Sequence, residues 1–266
     1  MYANVLYPFW ILFAFVIGLL FGSFANVVIY RLPLKKSIAS PPSFCPSCAK
    51  RLQAIDLVPI VSWVVLLGKC RFCKTKISPR YPIVEFICGL LFASMVYYSP
   101  TLSAIMLSTF ALILLIVSCI DLDTQEIPDS LLICGSIIGL VWLVLGYFFP
   151  TLFPYAPSWQ SAILGTVSGA TPLLIIDKIS LIVLKKDGFG YGDVKLMAVV
   201  GLFLGWQVTL SAFFFAFISG GVFAAYLLAS GKAKRGTYMA FGPFLCISVL
   251  ISFWFGPWFF NILFRF

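Results

Sequence analysis

Charge is what this sequence has least of. Of its 266 residues 10% are charged, and nine are carboxylates, where a soluble domain carries about 25% charged residues. With 62% of the chain hydrophobic and a mean hydropathy of +1.07, that scarcity excludes a soluble globular fold and predicts a polytopic membrane protein. No charge precedes Arg31, and a cleavable signal peptide needs a positive region ahead of its apolar run. The first run therefore reads as an anchor. No soluble basic domain accompanies the net charge of +9, which excludes nucleic-acid binding and leaves topology and contact with anionic membrane lipids as its explanation. Charge is also missing from the centres of the apolar runs. Transporters and channels place ionisable groups there, so that class is disfavoured.

Apolar runs of about 20 residues are long enough to span a bilayer. They predict an all-α fold of about eight transmembrane helices, near 8–30, 83–100, 102–120, 130–149, 159–183, 194–206, 208–230 and 239–262. The stretch after Asp193 is too long for one helix and predicts a turn at Gly205-Trp206-Gln207. Lys and Arg near span ends favour the cytoplasmic side. Eight spans with the amino terminus outside put 17 of the 18 basic residues on that side, in the segments Arg31 to Arg80, Lys178 to Lys195 and Lys232 to Arg235. Three regions follow: a first transmembrane helix (1–30), a cytoplasmic insert (31–82) and a core of about seven helices (83–266).

The insert is the one sizeable polar segment. It contains Cys45-Pro46-Ser47-Cys48 and, after 21 intervening residues, Cys70-Arg71-Phe72-Cys73. Two C-x-x-C pairs at roughly that separation are the spacing of a zinc ribbon, in which each pair forms a tight knuckle and four thiolates complete a tetrahedron. Four thiolates leave no open position for substrate or water, so a structural zinc is expected. Two disulfides are the alternative, disfavoured by reducing cytoplasm. Cys88, Cys119, Cys134 and Cys246 are single cysteines inside apolar runs and read as small core residues.

Most carboxylates gather in two loops assigned to the cytoplasmic side. Glu126 and Asp187 read as solvated loop residues. Asp121, closing an apolar run in Ile120-Asp121-Leu122-Asp123, and Asp193, in Gly190-Tyr191-Gly192-Asp193, are instead attached directly to spans. An acid at the lip of a span is costly and tends to be functional. Gly190 and Gly192 admit positive φ angles and the close approach of another chain. Two such aspartates suit aspartyl peptide hydrolysis, in which two carboxyls share one proton, one activating water and one protonating the carbonyl or leaving group. Asp121 at a helix carboxyl end and Asp193, placed to cap an amino end, are electrostatically unequal, which assigns the resting charge to Asp193.

The chain resembles the type IV prepilin leader peptidases, membrane aspartyl proteases of the G-x-G-D class. The resemblance runs from Gly22-Ser23-Phe24-Ala25-Asn26 through both cysteine pairs and Ile77-Ser78-Pro79-Arg80-Tyr81-Pro82. It then continues through Asp121 with Ile127-Pro128-Asp129 to Gly190-Tyr191-Gly192-Asp193-Val194-Lys195. It implies that Asp121 and Asp193 are the catalytic pair, that Gly190, Gly192, Asp123 and Asp129 belong to the active-site motifs, and that Cys45, Cys48, Cys70 and Cys73 form a cytoplasmic metal cluster. It further implies removal of the basic leader of prepilins or pseudopilins at the bacterial inner membrane. Methylation of the new amino terminus with S-adenosylmethionine is implied by resemblance alone, since no G-x-G-x-x-G loop is visible. One departure is Asp56-Leu57-Val58-Pro59, where the family more often has Asn after the Asp. A non-catalytic zinc-ribbon membrane scaffold is the competing reading.

Overall fold

The computed structural model describes residues 6–99, 101–185, 190–232 and 239–263. Lys186, Asp187, Lys234 and Arg235, used above for topology and loop assignment, lie outside them. Among the described residues the structure is helical, without named strands. The helices are α1 (Tyr7–Arg31), α2 (Val61–Val65), α3 (Arg80–Tyr98), α4 (Ser103–Thr124), α5 (Asp129–Phe148), α6 (Trp159–Leu184), α7 (Tyr191–Leu204), α8 (Trp206–Ala229) and α9 (Gly242–Leu263). Six of them, α1, α3, α4, α5, α6 and α8, are long and apolar enough to cross a membrane. The sequence predicts eight crossings. The other two long helices are α7, with 14 residues, and α9, with 22. Fourteen residues make about 21 Å of helix against a hydrocarbon core of about 30 Å. The apolar window of α4, the helix that carries Asp121, is 78% buried, against 17–39% for the other five.

The chain divides into two compact units, Met1–Ile116 and Val117–Phe266, the boundary falling within α4. In the first, α1 packs along α3 with almost no side chain between them. A Cβ on Gly18 would lie 2.7 Å from the Cys88 carbonyl oxygen, and one on Gly22 2.6 Å from the Glu85 Cα. Such small residues let helices approach backbone to backbone, which is how helices associate in lipid, where apolar burial provides no drive. Buried Arg31 ends α1 and donates to the carbonyls of Ser37 (3.1 Å) and Pro41 (2.7 Å), folding the chain back at the start of the insert. The insert is tied to α3 by the Glu85 carboxylate, which accepts from the Ile60 N–H at 2.8 Å.

In the second unit α7 is gripped on two sides. Gly165 and Gly169 of α6 leave no room for a Cβ against the backbone of Gly201 and Met197. From α5, fully buried Trp142 stacks on Phe203, with centroids 5.4 Å apart, and donates its indole N–H to the Phe203 carbonyl at 3.1 Å. An aromatic pair of this kind contributes about 0.5–1.5 kcal/mol beyond its buried area. Gly205 then separates α7 from α8 at the turn the sequence predicts. Its φ is +79°, a conformation that favours glycine, and a Cβ there would also collide with the Ser161 hydroxyl. Cys88, Cys119 and Cys246 are buried as expected, but Cys134 is exposed on α5. The sequence reading of Cys134 as a core residue is thus corrected: the face of a lipid-contacting helix is as apolar as a core and cannot be told from one by composition.

Candidate active site

Both motif aspartates are buried, Asp121 at 5% exposure and Asp193 at 9%, in a chain that is otherwise short of acids and has no histidine. They reach one cavity by different routes. Asp121 lies in the last turn of α4, which ends at Thr124 as Gln125 turns to a φ of +55°. Pro128 prevents the chain from resuming a helix too early, and α5 begins at Asp129. Asp193 lies in the first turn of α7, two residues inside its start at Tyr191. It is therefore not the capping residue that the sequence suggests, since α7 has no side-chain cap.

The cavity is about 410 Å³ and is lined by Asp121, Asp193, the loop Gln125 to Asp129, Gly190, Gly192, Lys195 and the segment Met239 to Phe241. Within it the two acids differ. Asp121 Oδ2 accepts the Gly242 N–H at 2.9 Å, whereas Asp193 Oδ1 is buried without a hydrogen-bond partner. The donor lies on the opposite member of the pair from the one to which helix ends alone assign the charge. A buried carboxylate oxygen without a partner is rare in folded proteins, and here it belongs to a residue that lines the cavity.

Neither motif glycine is used for unusual backbone. Gly190 has φ −70° and Gly192 is helical, so the expectation of positive φ is not met. What Gly192 provides is clearance: a Cβ on it would lie 3.0 Å from the Ile127 Cβ. The loop after α4 is thereby drawn against the start of α7, bringing the two acids to the same cavity. Asp129 sits at the rim, where it pairs with Lys195 at 2.8 Å, both side chains being more than half exposed. Asp123 is exposed and is not among the lining residues, while exposed Glu126 is. Gly242 and the segment before it escape sequence reading, because a backbone N–H has no residue-type signature.

The four cysteines of the insert come together. Their sulfurs all lie within 4.8 Å of one another, with Cys45 and Cys73 3.8 Å apart. A tetrahedron with metal–sulfur bonds of ~2.3 Å has edges of ~3.8 Å, so the donor set fits one tetrahedral ion. The two knuckles are built alike. In each, the first cysteine's N–H bonds to the carbonyl five residues on, Lys50 or Thr75, and the residue four positions on, Ala49 or Lys74, has positive φ. The thiol environments are unequal. Hydrogen bonds from Thr75 draw Cys73 down to about 6. At Cys48 the Lys50 amide acts in the same direction, but burial and the Cys73 and Cys45 sulfurs outweigh it and push the thiol up to about 11. Four sulfurs this close cannot all ionise without a cation among them. Asp56 braces the second knuckle through Arg71 at 2.6 Å.

Comparison with known proteins matches residues 16–99 to the bacterial peptidase A24 N-terminal domain and residues 108–225 to the type IV leader peptidase family. A prepilin leader peptidase/N-methyltransferase of Stutzerimonas stutzeri is 36% identical over 264 residues, covering 90% of this chain and 88% of the relative. One from Neisseria gonorrhoeae is 34% identical, covering 94% and 92%. One from Klebsiella pneumoniae is 38% identical, covering 76% and 88%. No solved structure matches.

Proposed function

This chain belongs to the type IV leader peptidase family, and on that premise we propose that Asp121 and Asp193 are the acid pair with which it cleaves prepilins or pseudopilins. It is a multi-pass membrane peptidase, bifunctional with an N-methyltransferase. The observation that carries the assignment is that two buried aspartates line one cavity of about 410 Å³. One carboxylate takes a proton from water as the oxygen attacks the scissile carbonyl, and the other, protonated, gives its proton to the carbonyl oxygen. Collapse of the tetrahedral adduct returns the carbonyl, and the nitrogen leaves with a proton from the pair. A dyad of this kind titrates as a unit. Gly192 sets the clearance between α7 and the loop after α4, Gly190 precedes it at the start of α7, and Asp129 and Asp123 are auxiliary.

Cys45, Cys48, Cys70 and Cys73 would hold one zinc ion, whose contribution is to fold the insert, since a four-thiolate site has no open position. The insert (31–82) is thereby a separate element between the first helix (1–30) and the catalytic core (83–266). S-adenosylmethionine would supply the methyl group. The residues lining the cavities do not assign a site for it, and no methyl-transfer step is derived from them. The concentration of basic residues supports an inner-membrane orientation with the amino terminus outside and the acids facing the cytoplasm. In that orientation α7 and α9 also cross, and Lys178, Lys185 and Lys195 lie near lipid headgroups. The non-catalytic scaffold reading has no support from the comparisons.

Purified Asp121→Ala and Asp193→Ala proteins incubated with a prepilin in detergent test the pair. Each is expected to leave the leader attached while retaining wild-type thermal stability to within a few degrees. Cleavage at the wild-type rate by either variant would remove the assignment.

A further inference from the structure

Asp121 is held from outside its own helix. The N–H that donates to its Oδ2 at 2.9 Å belongs to Gly242, and the bond is buried. Gly242 is the first residue of α9, where backbone donors have no partner inside the helix. The next residue, Pro243, has no N–H, and the Phe244 N–H is directed to the Phe241 carbonyl at 3.0 Å. Of the first three residues of α9, only Gly242 gives its N–H to this carboxyl. A side chain of α4 thus caps the start of α9.

A side chain at the same position would displace Asp121. A Cβ on Gly242 would lie 2.7 Å from Asp121 Oδ2, 3.1 Å from its Cγ and 3.3 Å from its Cβ. The three nearest atoms all belong to Asp121. Backbone conformation does not demand glycine here, because Gly242 is absent from the positive-φ glycines. Met239, Ala240 and Phe241, which lead directly into Gly242, line the cavity that Asp121 enters.

We infer that Gly242 is a positioning residue for peptide cleavage: its N–H fixes the rotamer of Asp121, and its missing Cβ leaves the carboxyl its place at the cavity. The inference rests on the reading of Asp121 as one of the acid pair. It assigns the Gly-Pro start of α9 to the chemistry rather than to the packing of α9. A reacting group displaced by about 1 Å costs on the order of 10² in rate, and a Cβ at 2.7 Å from Oδ2 requires a displacement of that order.

Steady-state cleavage of a purified prepilin by Gly242→Ala is expected to show kcat lower by about 100-fold with KM within about threefold of wild type. Gly221→Ala on α8, where an added Cβ meets nothing within 4 Å, is expected to behave as wild type. Thermal unfolding separates positioning from a general packing defect. Gly242→Ala is expected to lower Tm by more in the wild-type background than alongside Asp121→Ala, which removes the contacts at 2.7 and 3.1 Å and leaves only the one to Cβ at 3.3 Å. An unchanged kcat, a defect confined to KM, or an equal loss of Tm in both backgrounds would each overturn the inference. Cleavage by Asp121→Ala alone would instead overturn the reading beneath it, whatever Gly242→Ala does.

Discussion

Replacing Gly192 with Ala tests whether the second glycine of G-x-G-D is a spacer between the two halves of the site. A helical Gly→Ala substitution by itself stabilises a helix by roughly 0.5–1 kcal/mol. Here the new Cβ would lie 3.0 Å from the Ile127 Cβ, 3.4 Å from its Cγ1 and 3.5 Å from its Cδ1. Carbon atoms rest at ~3.5–4.0 Å, so the loop must retreat by about 0.5–1 Å. Rotating Ile127 cannot provide that, because the nearest atom is its Cβ and moves only with the backbone. The loop is continuous with the end of α4, so its retreat shifts Asp121 relative to Asp193. At about 10² per ångström of misplacement, kcat of Gly192→Ala is expected to fall by roughly 10- to 100-fold. The folded protein should be no less stable than wild type by more than about 1 kcal/mol. Prepilin cleavage followed by gel densitometry, with thermal unfolding in the same detergent, measures both. Adding Ile127→Gly removes the colliding carbon, and kcat of the double variant is expected to match that of Ile127→Gly alone, a direct coupling between the two positions. Wild-type kcat in Gly192→Ala, or a double variant slower than Ile127→Gly by the same factor that separates Gly192→Ala from wild type, would refute the spacer role.

Other outcomes follow from the insert. Ala49 and Lys74 hold positive φ in equivalent places of the two knuckles, so Ala49→Gly and Lys74→Gly are each expected to stabilise the metal-loaded protein by about 0.5–1 kcal/mol; unchanged or lower Tm would contradict this. Metal binding needs thiolates, and Cys73 titrates at about 6 while Cys48 is held up near 11. Protons therefore compete with the ion throughout neutral pH. Affinity measured against a chromogenic chelator is expected to fall by about tenfold or more per unit as pH drops from 8 to 6, and a flat profile would argue against a four-thiolate site.

The helices were legible because apolar runs long enough for a bilayer leave few alternatives, and Gly205 marked the turn between α7 and α8 by residue type alone. The cysteine cluster was legible for a related reason: C-x-x-C spacing is dictated by the knuckle itself. Less could be read at the ends of helices. Asp193 looks like a cap in sequence yet sits inside the first turn of α7, since Gly190 already supplies the start. Gly190 and Gly192 suggested unusual backbone, whereas the structure uses Gly192 for contact with Ile127, a residue 65 positions earlier. Gly242 was invisible because what it contributes is a backbone N–H and an absence, neither of which a residue type announces. Cys134 was misplaced because lipid and protein core select the same side chains.

Intact mass of a prepilin co-expressed with this protein addresses the central claim most directly, because leader loss and an added methyl group appear in one spectrum. With the wild-type chain the account predicts a mature product lacking its leader and heavier by one methyl group. With Asp121→Asn or Asp193→Asn it predicts the full-length precursor alone. A processed, leader-free product from either variant would contradict the paired-aspartate mechanism.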